Sequence, residues 1–175
     1  MRSRLATRSA RLVLAAAAAA VALTGAAATA AVAGTGASAA PRVCTTSDLT
    51  FKVTAETQAG GYDLVTAKAK RGVTCTLEGL YPSASYGSSI DTEVSPIEQS
   101  VGEDIVLSGS KAAYAGINPK TTNTDGGIQF DQIHLSLLGD ELNAVTLALP
   151  HTVTVDQPVA TNWHADKADA VPFGG

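Results

Sequence analysis

Cys44 and Cys75 are the only thiols in the chain, and with His134, His151 and His164 they are its first candidates for chemistry. A serine nucleophile would need one of these histidines as its base and an acid to orient it. Serines are plentiful, but no glycine-x-serine-x-glycine elbow occurs. The nearest fragment, Ser108-Gly109-Ser110, lies between two β-like runs and reads as a hairpin turn. A metal site needs clustered ligands, and no two histidines stand at i, i+2 or i+4. His164 and Asp166 are two apart and could share one face of a strand, although a solvated tail accounts for them better. Calcium needs several acids at loop spacing, and Glu103-Asp104 and Asp140-Glu141 read instead as isolated turn acids. Carboxylate pairs for glycoside hydrolysis would want an aromatic floor for the sugar. Trp163 is the single indole, and it reads as a core anchor. No cofactor and no metal are expected, and the chain is read as not an enzyme.

What the two cysteines do depends on the first forty residues. Arg2, Arg4, Arg8 and Arg11 make a positive end with no acid to offset them. Leu12–Leu23 is an apolar core, and a run of small residues ends in Ala37-Ser38-Ala39. This order is that of a cleavable signal peptide, with small residues where the peptidase needs them. Cleavage is expected between Ala39 and Ala40, because cutting one residue later would leave Pro41 directly after the scissile bond. The apolar core is short and alanine-rich, where a membrane span needs roughly 20 strongly apolar residues. No span is expected after cleavage. An exported chain meets an oxidising compartment, so Cys44 and Cys75 are expected to pair as a disulfide.

The leader carries four of the 12 bases and none of the 16 acids, leaving eight bases against 16 acids, a formal −8. Nucleic acid and anionic membrane surfaces both require a basic footprint, so neither is an expected partner. Residues 40–175 suit one domain with a sizeable core.

Period two dominates this domain, the mark of half-buried strands. Leu49, Phe51, Val53 and Ala55 alternate with polar residues, and Gly60-Gly61 follows as a turn. Val65, Ala67 and Ala69 make a second inward set, and Val73, Cys75 and Leu77 a third, which places Cys75 in the core. Ile105–Leu107 and Ala112–Ile117 read as two short strands. Ile133, Leu135 and Leu137 form a later inward set. Val145, Leu147 and Leu149 form another, which Pro150 interrupts before Val153 and Val155 resume. Short strands between turn signals predict an all-β, immunoglobulin-like antiparallel sandwich. Its core is expected over about residues 44–155. The tail after Asn162 is either a last edge strand or a loose end.

Four stretches together carry a family resemblance. They are Cys44 with Asp48-Leu49, then Cys75-Thr76-Leu77-Glu78-Gly79-Leu80-Tyr81-Pro82, then Leu107-Ser108-Gly109-Ser110-Lys111-Ala112-Ala113-Tyr114-Ala115, and a late Leu147-Ala148-Leu149-Pro150. The chain resembles the secreted actinobacterial "domain of unknown function 4232", over roughly Cys44 to Val155. It departs from the family by Leu80, which splits the glycine-tyrosine-proline triplet, and by lacking a second cysteine pair in its later half. The resemblance implies a fold and a compartment and brings no activity.

A strand scaffold puts recognition on its loops. The stretch Asn118–Gly127 has no apolar side chain and several turn formers, so it is the expected contact loop, through Asn118, Lys120, Asn123 and Asp125. The expected protein is a secreted, non-enzymatic binding module for an extracellular protein or cell-wall ligand. The alternative is a small secreted protease inhibitor with Lys120 as its specificity residue.

Overall fold

The computed structural model describes residues 39–173. The expected leader, residues 1–39, lies outside the described residues but for its last one. Among the described residues the alternating runs become ten β-strands, with short 3-10 turns and no α-helix. β1 (Leu49–Glu56) and β2 (Tyr62–Ala69) form an antiparallel hairpin. Three consecutive positive φ angles close it, at Ala59, Gly60 and Gly61, a backbone that glycine adopts without strain. β2 pairs with β7 (Ala112–Asn118), β7 with β10 (Val159–Ala160), and β10 in parallel with β5 (Ser95–Pro96), giving one five-stranded sheet. β3 (Thr74–Leu77) pairs with β6 (Ile105–Ser108). β4 (Ser83–Ser85), β8 (Ile128–Ser136) and β9 (Val145–Val155) form a third sheet.

The inward sets of all three sheets meet in one apolar core, so the fold is all-β and sandwich-like. Val65, Ala67, Cys75, Leu107, Ile133 and Leu135 are fully buried in it. The expected disulfide is present between Cys44 and Cys75, which are 31 positions apart with Cα atoms 4.9 Å apart. The segment leading into it is fixed by Arg42, which donates to both carboxylate oxygens of Asp48 at 2.6 Å. Asp48 also accepts from the Thr45 backbone at 2.8 Å. The Arg42 bonds foremost, then that of Thr45, hold the Asp48 carboxyl well below the usual carboxylate range.

Four expectations are corrected. The 108–110 turn is not a hairpin. β6 pairs with β3 and β7 with β2, so the turn hands the chain from one sheet to another. A turn of this composition serves either purpose. Pro150 does not interrupt a strand, because β9 runs through it. The pairs Gln132↔Ala148 and Phe130↔Val153 leave residues 149–152 bulged opposite Asp131, where the missing proline N–H costs no ladder bond. Ala55, expected inside, is exposed near the closed end of the first hairpin, where it pairs with Asp63.

The tail is neither an edge strand nor loose. Trp163 is 2% exposed, and its backbone N–H donates to Leu80 at 2.9 Å. His164 and Tyr114 exchange two backbone bonds of 2.8 Å. A 3-10 turn, Lys167–Ala170, then crosses the outer face of β2 and β7, burying Tyr62 and Leu64 against Ala170. Gly116 makes this possible, since a Cβ there would lie 2.1 Å from the Ala170 carbonyl oxygen and 2.6 Å from Pro172 Cδ.

Candidate functional site

Three segments converge at one end of the sandwich: the closed end of the β1–β2 hairpin, the start of the β7–β8 loop, and the β9 bulge. Between them lies a cleft of about 410 Å³, lined by Glu56 and Asp63, by Asn118, Lys120 and Thr122, and by His151. The bulge presents His151 at its rim, exposed. Glu56 is tied to Lys167 by an ion pair of 2.7 Å.

Asp63 belongs to the inward set of β2, two residues before Val65. Its side chain therefore enters the core, where the residue is 1% exposed. Tyr86, also 1% exposed, does not line the cleft; its ring centroid is 6.1 Å from that of Phe130. The Tyr86 hydroxyl acts on the Asp63 carboxyl, but the two fall short of hydrogen-bond geometry. Neither oxygen of Asp63, nor the hydroxyl of Tyr86, has a partner among the described residues. A buried charge without partners is costly. Burial accordingly pushes the Asp63 carboxyl up to about 6, with His151 and the Tyr86 hydroxyl acting in the opposite direction. Burial foremost, then the charge of Asp63, raises Tyr86 well above the ordinary phenol range. The cleft thus has an acceptor beneath it that the fold leaves unsatisfied, suited to a donor such as an ammonium or amide N–H.

The expected contact loop contributes unevenly. Asn118 ends β7, and its side-chain oxygen accepts from the Lys120 backbone at 3.1 Å. The Lys120 ammonium turns back onto its own loop, donating to the Gly126 carbonyl at 2.7 Å and to Thr122 at 3.1 Å, and reaches Asp156, just after β9, at 3.1 Å. Asp156 also accepts from the hydroxyls of Thr122 and Thr124. These bonds, Thr122 first and then Lys120, lower the Asp156 carboxyl. Asn118 and Lys120 therefore border the cleft, whereas Asn123 and Asp125 are exposed and do not line it.

Sequence reasoning missed Asp63, Tyr86 and the placing of His151. The first was open to it: carrying the Val65, Ala67, Ala69 register back by two residues puts an acid on the inward face. Nothing local marks Tyr86 or His151 as its neighbours. The other histidines are engaged elsewhere. His134 Nδ1 is 2.9 Å from the Thr146 hydroxyl, and His164 Nε2 is 2.9 Å from Glu98. Among the described residues, no three His, Cys, Asp or Glu side chains gather as a metal site.

No curated protein matches the chain, and no solved structure does. The model of the family described as "Domain of unknown function (DUF4232)" matches residues 44–171, a span that runs from the first cysteine of the disulfide through the packed tail, and the chain belongs to that family.

Proposed function

We infer that the protein is a secreted, non-enzymatic binding module that holds an extracellular protein or cell-wall ligand in the cleft at the end of the sandwich. The observation that carries this reading is the unpartnered carboxyl of Asp63 beneath a cleft formed by three loops on rigid strands. A fold with no use for that acceptor would be more stable without it. A disulfide-closed domain after a leader-like sequence supports export, and the acid surplus argues against nucleic acid or an anionic membrane as partner.

The inhibitor alternative requires Lys120 to project into an enzyme's pocket. Its ammonium is committed to three bonds, two within the loop and one to Asp156 just after β9, which favours the binding module. The test is retention of the purified protein on isolated cell-wall material and on immobilised extracellular proteins. Wild type should be retained, and Asp63→Asn should lose most of that retention while keeping its fold. Equal retention of both would overturn the reading. Inhibition of a trypsin-like protease that disappears in Lys120→Ala would establish the alternative.

A further inference from the structure

Every sheet has edges that expose unpaired backbone groups, and proteins blunt them with charge, proline, bulges, brevity or a covering segment. Five of the six edges here are blunted. β1 carries exposed Lys52. β5 has two residues, one of them Pro96. β9 has Pro150 and its bulge. β3 is covered by the preceding chain, through Cys44 N–H to the Thr76 carbonyl and Thr76 N–H to the Arg42 carbonyl, both 2.8 Å. β4 is covered by the Val94 N–H donating to Ala84 at 2.9 Å.

β6, four residues long, has no proline, bulge, charged side chain within it or covering strand among the described residues. Its sequence is Ile-Val-Leu-Ser, its register against β3 is unbroken, and its second edge has no strand partner among the described residues. Val106 is 40% exposed. Ile105 and Val106 line a groove of about 700 Å³, with Tyr114 and Trp163 also in its wall. Four carboxylates line it as well, Glu103, Asp104, Asp166 and Asp169, against the single ammonium of Lys111. Asp104 accepts from the Gly79 backbone and Asp166 from that of Ala168. Glu103 and Asp169 are exposed and uncommitted among the described residues.

We propose that β6 is a docking edge that takes an extended, lysine- or arginine-bearing segment of a partner protein as an added strand. Alternate residues of β6 direct their backbone donors and acceptors to the open side, and these give the segment its hydrogen bonds. Its apolar side chains pack on Ile105 and Val106, and its bases meet Glu103 and Asp169. This is strand addition, in which main-chain bonds supply affinity and side-chain contacts supply selectivity.

The test uses protein expressed from the full chain and a blocked peptide of alternating lysine and valine, about eight residues long. The same peptide with glutamate for lysine, and one N-methylated along its bonding edge, are controls. The basic peptide should slow amide exchange within residues 105–108 and shift the fluorescence of Trp163. Both controls should bind at least tenfold more weakly. Val106→Lys, a change at an exposed position, should abolish binding without altering the unfolding transition, and Glu103→Lys should weaken it severalfold. The proposal is overturned by absence of binding, by binding without protection of 105–108, by equal binding of the acidic peptide, or by a peptide-free dimer that Val106→Lys dissociates.

Discussion

Replacing Asp63 by asparagine should make the protein more stable at pH 8 and leave it little changed at pH 4. In the folded protein the carboxyl is raised to about 6, from 3.8 for an unhindered aspartate. A raised folded value means that the native state holds its proton more tightly than the unfolded chain does. The stability linked to that proton is complete below about pH 4 and is lost as the pH climbs through about 6. A displacement of about two pH units corresponds to roughly 3 kcal/mol at about 1.4 kcal/mol per unit. Asparagine cannot ionise, and it needs partners much as the protonated acid does, so the low-pH difference should be small. The assay is urea unfolding of both proteins from pH 4 to pH 8, with the disulfide intact. Taking the difference between them removes the opposite pH dependence of Asp48 and Asp156, which both share. The expected result is a gap that opens between pH 4 and pH 6 and approaches 3 kcal/mol in favour of the variant. A constant gap across the range, or a variant weaker at pH 8, would refute the reasoning. It would mean that the carboxylate is satisfied in the native state.

Three other changes test the packing. Gly116→Ala puts a methyl group against the Ala170 carbonyl. It should cost about 1–3 kcal/mol and speed amide exchange in the Lys167–Ala170 turn, which hydrogen exchange read by mass spectrometry would detect. Cys75→Ser opens a loop of 31-residue separation. The chain-entropy model gives roughly 3.5–4 kcal/mol for this, measurable in denaturant, and thiol titration of denatured, unreduced wild type should find no free sulfhydryl. Ile133→Ala leaves a cavity at a fully buried site of β8 and should cost about 2–5 kcal/mol by the same unfolding assay.

The strands were legible where one face alone is buried. Leu49–Val53, Val65–Ala69 and Val73–Leu77 keep the alternation that the core imposes, and Ile133–Leu135 keeps it up to Ser136, which is buried. β2 shows where that signal weakens. Tyr62 and Leu64 are buried on its other face by a tail whose contacts rest on Ala170, Pro172 and the missing side chain of Gly116. Such small residues announce no burial in sequence, so the expected core stopped near residue 155. Pro150 breaks the pattern locally, and only the pairing with β8 reveals a bulge. Lys120 looked free because its partner, Asp156, lies 36 positions away. Asp63 obeys the register throughout, and only the fold shows that its buried oxygens lack a partner.

The most direct measurement is a carbon-13 NMR titration of the Asp63 carboxyl, free and in the presence of whatever wall or extracellular material the wild type retains. The account predicts a midpoint near 6 in the free protein, and a carboxyl that stays ionised to lower pH once a ligand donor reaches it. A midpoint near that of an ordinary aspartate, unmoved by retained material, would contradict it.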